Sequence, residues 1–391
     1  MTVLFVDDDR QVLRALERML DAAEVEWDAE FTTSGPDALA LLAEHEFQAI
    51  VTDMRMPGMD GAELLQEVSR HHPEVIRIVL SGQADKQTVL RAVKPMHQYL
   101  SKPCDTETLK STVSRACAMR NRLNSDSLRG AVGNLPGLPS LPTVYARLME
   151  AVKSDGFTLG QVGEIIEQDI AMTGKILQLV NSAAFGLNRT VSSPCQAASL
   201  LGLETIKSLT LATGVFQECV GDEADHFSLN SLMTHSLAVA DCARRICRAE
   251  HMPVDTVNEA FTAGMLHDIG KLVLATSCSE AYSRVAGMAA EEQIPAWQAE
   301  RRIFGADHSA VGAYLLNLWG LPQSIVEVVA LHHSPELAQE NCASLLSIVC
   351  TANLLCNDAP DEMFAALPTQ IDGQNRLPVW REYCSNMEDD N

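Results

Sequence analysis

Over the first third of the chain, short apolar runs alternate with longer stretches of helical period. The runs Val3–Val6, Ala49–Thr52, Ile76–Leu80 and Gln98–Ser101 read as strands covered on both faces, and Glu26–Phe31 supplies a fifth. Between them, Val12–Leu20 and Ala38–Leu42 place apolar residues at helical spacings. This rhythm predicts an α/β domain with a five-stranded, parallel, doubly wound sheet. From Asp105 to Leu123 the pattern is again helical, with Leu109, Val113, Ala116 and Leu123 on one stripe. That stripe is read as a helix packed on the sheet, with pairing against a second copy of the chain as the alternative. The stretch NSDSLRGAVGNLPGLPSLP then ends the periodicity, which sets a first domain at 1–122 and a linker at 123–138.

Beyond the linker, strand signals nearly vanish. Helical patterns run through Val144–Val152, Glu204–Phe216, Leu229–Arg248, Thr256–Lys271, Pro295–Ile303, Ser309–Leu318, Gln323–His332 and Ala343–Cys356. No period repeats, so 139–357 is expected to form a compact all-α domain and not a solenoid. The remainder, 358–391, is polar, contains proline and ends in acidic residues, which predicts a partly loose tail.

Composition narrows the setting. With 391 residues and 47% hydrophobic content, the chain can bury more than one core. No run of eighteen apolar residues and no basic leader is visible, so a cytoplasmic protein without a membrane span is expected. The eleven cysteines are scattered without a C-x-x-C pair and read as small buried hydrophobes in a reducing compartment. A formal charge of -23 repels phosphate backbones. The helix-turn-helix texture of Ala198–Ile206 is therefore not read as a nucleic-acid site.

The residues that follow each apolar run carry the first candidate chemistry: Asp7 and Asp8, then Asp53, Ser81 and Lys102. In a doubly wound sheet the carboxyl ends of the strands share one edge, where ligands bind. Three carboxylates gathered there repel one another. A hard divalent cation, Mg2+ first among them, relieves this by taking carboxylate and carbonyl oxygens. Lysine and serine are left to hold a transferred phosphoryl group. The motifs VDD at Val6–Asp8, DMRMPGMDG at Asp53–Gly61, LSG at Leu80–Gly82 and KP at Lys102–Pro103 fall in order, and this third of the chain resembles the response-regulator receiver domains. The resemblance implies a flavodoxin-like fold and phosphorylation of Asp53 by a sensor histidine kinase. It places Mg2+ on Asp8, Asp53 and the Arg55 carbonyl with support from Asp7, and makes Lys102 and Ser81 the groups that sense phosphoaspartate. Tyr99 matches the aromatic switch position, and Asp60 to Glu63 reads as a helix capping box.

The second candidate chemistry is a series of histidines. His235 lies within a helix, and His267 and Asp268 come in the last turn before Gly270. His308 follows Asp307 at a helix start, and His332 and His333 end another helix. Nitrogen and carboxylate ligands from several helix ends can enclose a transition-metal ion, although buried histidines also serve simply to hydrogen-bond across helices. The texture LPSLP, DIAMTGKIL and VNSAAFG resembles the HDOD output domain, a relative of HD-type phosphohydrolases, and the histidine series resembles the HD ligand set. Where that set closes with an aspartate, TANLLC offers Asn353. Asp268 is then the only carboxylate of the set, which makes a two-metal clamp strained and leaves room for a single metal. HHSPELAQENC replaces the GYP signature of the related cyclic-dinucleotide phosphodiesterases.

Together these readings predict a phosphorylation switch joined to a helical output module that acts through a downstream protein or a second copy of itself. A metal-dependent phosphohydrolase acting on a nucleotide or second messenger is the alternative for the output module.

Overall fold

The computed structural model describes residues 1–82, 96–120, 126–133, 158–181, 190–202, 227–338, 343–364 and 373–385, together with residues 123, 135, 139–140, 147–148, 217–218 and 367. The chain divides into two compact units, the first built on Met1–Pro136 and the second taking most of the chain from Gly137 onward.

In the first unit, β1 (Thr2–Val6), β2 (Asp28–Thr32), β3 (Ala49–Thr52), β4 (Ile76–Ser81) and β5 (Gln98–Ser101) form one parallel sheet in the order β2-β1-β3-β4-β5. The expected α/β class and five strands are present. Apolar residues of β1 and β3 are fully buried, as two-sided helix cover requires. β2 starts two residues later than the periodicity suggests, because Trp27 turns inward to stack on Phe5 before the ladder begins. The helices are α1 (Arg10–Ala22), α2 (Gly35–Glu44), α3 (Gly61–His71), α4 (Thr106–Arg120) and α5 (Asp126–Gly133). Asp60 and Glu63 form the expected reciprocal cap of α3. Gly61 sits so close to Asp53 that a Cβ there would lie 2.2 Å from the Asp53 carbonyl oxygen. In the ladders Val6 pairs with Thr32 and Thr52, Thr52 with Val79, and Ser81 with Ser101, so every strand ends at the same edge.

Leu109, Val113, Ala116 and Leu123 are all buried, so the helical stripe is spent within the chain and is not free to pair with a second copy. Part of the segment expected to be a linker is ordered as α5, and this helix belongs to the first unit, with Leu128 and Val132 buried. A charge in an otherwise apolar strand holds its end. Arg77 of β4 is 1% exposed. Its guanidinium donates to the carbonyls of Pro73 and Val75, each at 3.2 Å, and of Gly133 at 2.5 Å. His97 completes this cluster: Nδ1 accepts from the Arg77 amide at 3.0 Å, and Nε2 lies 3.0 Å from the Gly133 oxygen. A Cβ on Gly133 would come within 2.4 Å of the Pro73 oxygen, so glycine permits this approach.

The second unit is helical: α6 (Leu159–Ile166), α7 (Ile170–Asn181), α8 (Pro194–Leu201), α9 (Leu229–Ala249), α10 (Val254–Leu266), α11 (Ile269–Ser277), α12 (Ser279–Glu292), α13 (Ala296–Phe304), α14 (His308–Leu318), α15 (Gln323–Leu331), α16 (Ala343–Cys356), α17 (Asp361–Phe364) and α18 (Gly373–Ser385). One parallel bridge, Pro139–Ser140 with Gln217–Glu218, is the exception to the all-helical expectation among the described residues. The helix expected over Glu204–Phe216 and most of Val144–Val152 lie outside the described residues. No described helix is long and apolar enough to cross a membrane.

Three expectations change here. The helix read as Thr256–Lys271 breaks at His267 and Asp268 and resumes as α11. Gly270 does not end a helix; it lies inside α11 because a Cβ there would meet the His308 carbonyl oxygen at 1.9 Å. Within the segment expected to be a partly loose tail, α18 is docked: Glu250 accepts from Arg376 and Trp380 at 2.9 and 2.8 Å, and Trp380 and Cys384 are buried. Cys384 is joined to Cys242 of α9 in a disulfide, so these two are not the inert thiols expected of every cysteine. Their separation of 142 residues gives no local spacing signal.

Candidate functional site

The sheet edge brings together part of the predicted acidic cluster. Lys102 follows β5, and its Nζ lies 2.6 Å from Asp53 Oδ1 and 2.5 Å from Asp7 Oδ2. Burial works against the Lys102 ammonium, but hydrogen bonds and charge from Asp53 and Asp7 outweigh it and raise its pKa. The other oxygens are held by backbone: Asp7 Oδ1 accepts from the Asp9 amide at 2.9 Å, and Asp53 Oδ2 from the Arg55 amide at 2.6 Å. Arg55 therefore meets Asp53 through its N–H. Asp8 is exposed, and the three aspartates do not form one of the tight ligand groups found among the described residues. Ser81 ends β4 at the same edge. Tyr99 is buried, and its hydroxyl donates to the Gly82 carbonyl at 3.1 Å. Hard carboxylate donors with a single ammonium between them suit a hard divalent ion such as Mg2+.

In the helical unit, six predicted residues, Asp268 among them, converge. His235 comes from the second turn of α9, His267 and Asp268 from the break between α10 and α11, His308 from the first position of α14, and His332 and His333 from the end of α15. Two trios form, His235–His267–Asp268 and His308–His332–His333, each with its ligand atoms within 4.8 Å of one another. Asp268 Oδ2 is 3.9 Å from His235 Nε2 and 3.3 Å from His267 Nε2. Its Oδ1 is 3.1 Å from His308 Nε2 and 3.8 Å from His332 Nε2. Asn353, on α16, is a polar neighbour of His235.

Helix ends set the orientation of these rings. His267 and His332 each stand just after the last residue of a helix, where carbonyls lack intrahelical partners. His267 Nδ1 bonds the Gly264 carbonyl at 2.7 Å, and His332 Nδ1 bonds that of Val329 at 2.8 Å. A carbonyl only accepts, so Nδ1 carries the proton and Nε2 presents a bare lone pair. Both Nε2 atoms are buried without a hydrogen-bond partner. A lone pair 3.3 Å from a carboxylate oxygen is repulsive unless a proton or a metal cation stands between them. The donor set therefore fits a transition-metal ion. His333 Nε2 and His308 Nε2, 2.9 Å apart, likewise need a shared proton or ion.

The electrostatics agree. Burial, then the neighbouring His267 and His308, push His332 down to about 3. Burial and the His332 and His308 rings depress His333, and burial followed by His267 depresses His235. Burial opposes ionisation of Asp268, but His267 and Lys271 hold it well below the carboxylate range. Burial also opposes a charged His308, yet Glu300 overrides it and pushes the ring up to about 9.

Two residues of this site escaped the sequence reading. Lys271 donates to Asp268 Oδ2 at 2.6 Å, and its place three residues after Asp268 was the available signal. Glu300 of α13 is fully buried, and its Oε2 accepts from His308 Nδ1 at 2.6 Å and from the His308 amide at 2.8 Å. Asp268 is thus not the only carboxylate at the cluster. A glutamate amid Arg301 and Arg302 on an amphipathic helix reads as a solvated face, which hid it.

Comparison with known proteins agrees with this geometry. Residues 3–114 match the response regulator receiver domain and residues 138–335 match the HDOD domain. An uncharacterized protein of Treponema pallidum is 24% identical over 62% of this chain and 47% of its own length. The hydrogenase transcriptional regulatory protein HoxA of Cupriavidus necator is 38% identical over 29% of this chain and 24% of its own. For the DNA-binding transcriptional regulator NtrC of Salmonella typhimurium the figures are 33%, 37% and 32%. The chain thus spans less than half the length of these relatives. The crystal structure of the MmoQ response regulator from Methylococcus capsulatus superposes with a TM-score of 0.51 at 27% identity, covering 65% of this chain and 96% of that one. A Campylobacter jejuni structure described as a virulence factor shares the fold at a TM-score of 0.54 and 19% identity, covering 66% and 99%. A receiver sheet edge followed by an HDOD helical unit with these matches makes the chain a member of the HDOD-domain response regulators.

Proposed function

We propose that a sensor histidine kinase phosphorylates this response regulator on Asp53, and that the HDOD unit answers by changing how it engages a downstream protein or a second copy of the chain. The observation that carries this reading is the placement of Lys102 Nζ against both Asp53 and Asp7 at the strand ends. Asp53 has one oxygen held by the Arg55 amide and the other by the lysine. The lysine is thereby placed to follow a new negative charge on Asp53, with Ser81 at the same edge and Tyr99 anchored beside it. Asp7, Asp8, Asp53 and the Arg55 carbonyl are the residues that would hold Mg2+, which supplies charge neutralisation for the incoming phosphoryl group. The reading includes residence in the cytoplasm, where the kinase would meet it.

Incubation with acetyl phosphate and Mg2+ is expected to add one phosphoryl group to the intact chain and none to an Asp53→Asn chain. An unchanged intact mass for the wild type ends this reading. Affinity capture with and without the phosphodonor then identifies what the HDOD unit engages.

The unpartnered Nε2 atoms of His267 and His332 favour a second reading of the output unit, as a metal-dependent phosphohydrolase. His235, His267, Asp268, His308, His332 and His333 would hold the ion, which supplies Lewis acidity toward a phosphoester. Protein purified without chelator is expected to carry metal that an Asp268→Ala chain lacks. Equal and negligible content in both refutes the metal centre. Turnover of cyclic dinucleotides, (p)ppGpp or generic phosphoesters, abolished by His267→Ala, would establish the enzyme.

A further inference from the structure

Among the histidines of the helical cluster, His308 is held differently. His267 and His332 lean on neutral carbonyls of their own helices, whereas His308 is gripped by a carboxylate from another helix. Glu300 takes both the ring N–H and the backbone N–H of His308, so it fixes the first turn of α14 and the imidazole together. Glu300 is 0% exposed, and the neighbouring Arg301 does not neutralise it, because that guanidinium bonds Asp307 at 2.6 Å. Tyr282 is the other polar group facing it. A carboxylate kept dry is costly unless the imidazole it holds is protonated or positive charge lies beyond the ring. Across the ring, His308 Nε2 points at Asp268 Oδ1 and at His333 Nε2, into the cluster.

We propose that Glu300 is a positioning residue of the metal centre: it locks His308 with its Nε2 donor directed at the ion, and it supplies the negative charge that Asn353 does not. This rests on the metal reading of the cluster and adds a named residue to it. With one divalent ion, Asp268 and Glu300 together balance the charge, and Lys271, whose side chain is 28% exposed at the rim, can turn its ammonium to water. Carboxylates behind ligating histidines set ring orientation and donor strength, and their loss typically weakens metal binding about 10–100-fold.

The test is calorimetric titration of the full-length chain with Mn2+ and, in parallel, Zn2+. Glu300→Gln preserves shape and removes charge, and is expected to bind about 10–100-fold more weakly. Adding Asn353→Asp to that chain restores charge on the far side of the cluster and is expected to recover most of the loss. Wild-type affinity in Glu300→Gln overturns the proposal, as does a loss that Asn353→Asp leaves in place. Should Glu300→Gln fail to fold, Glu300→Asp, which keeps the charge, must bind within several-fold of the wild type, and binding as weak as that of a His308→Ala chain overturns it. No uptake of either metal by the wild type removes the metal reading itself and this proposal with it.

Discussion

Among the described residues, buried histidines stand in two places, beside Arg77 and around Asp268, and the two are finished in opposite ways. Around Arg77 both ring nitrogens of His97 have partners, one an amide and one the Gly133 carbonyl, and the guanidinium donates to that carbonyl and to two others. Around Asp268, the Nδ1 atoms are satisfied while the Nε2 atoms of His267 and His332 have no hydrogen bond at all. Burying a polar group without a partner costs about 1–3 kcal/mol, so the first cluster is complete as it stands and the second is left with two ring nitrogens that a proton or an ion would complete. The completeness of its hydrogen bonds, more than its burial, separates a structural histidine from a ligand.

The largest test of that contrast falls on the complete cluster. Arg77→Met leaves the Pro73 and Val75 carbonyls without this donor and the Gly133 carbonyl with His97 alone, and is expected to destabilise the first unit by roughly 3–5 kcal/mol. Denaturant unfolding followed by α5 protection in hydrogen exchange measures it. A loss under 1 kcal/mol would mean that water or the remaining His97 contact replaces the guanidinium.

The next test falls on the incomplete cluster. His332→Ala removes a ring whose Nε2 bonds nothing, so its main effect is expected only when metal is present. At a metal concentration about 100-fold above the wild-type Kd, bound ion stabilises that protein by about 2.7 kcal/mol, and the variant should lose this increment. Thermal unfolding with and without Mn2+ reads the difference. An equal metal-induced rise in Tm for both proteins would place the ion elsewhere.

The smallest effect is in pH. His308 has its folded pKa raised to about 9, so its contribution to metal-free stability is complete below the unfolded histidine value near 6.5 and fades as pH rises through 9. An incoming ion must displace that proton. Metal affinity is therefore expected to rise about tenfold, or 1.4 kcal/mol, per pH unit between these limits and then level off. His332 and His333, both depressed, are already neutral there and add no slope. A flat profile would mean that His308 holds no displaceable proton.

How far the sequence reaches differs between the units for a physical reason. The strand ends of a parallel sheet are marked by where an apolar run stops, so Asp53, Ser81 and Lys102 could be placed on one edge before any coordinates. The helical ligands were legible as residue types at helix ends, but which of them meet depends on crossings set by Gly264 and Gly270, whose absent Cβ atoms let helices approach. Glu300, Arg77 and the Cys242–Cys384 pair left no local mark. Each is a polar or reactive group whose meaning comes from a partner distant in sequence or on another helix.

The rings of His267 and His332 are tied to the final turns of their own helices, so their aim is settled when α10 and α15 fold. An ion arriving there would meet a finished socket, and the work of entry would be the shedding of its water shell, with little chain left to organise. Such a socket should load without reshaping the domain, which would let the helical unit keep one surface whether its centre is filled or empty.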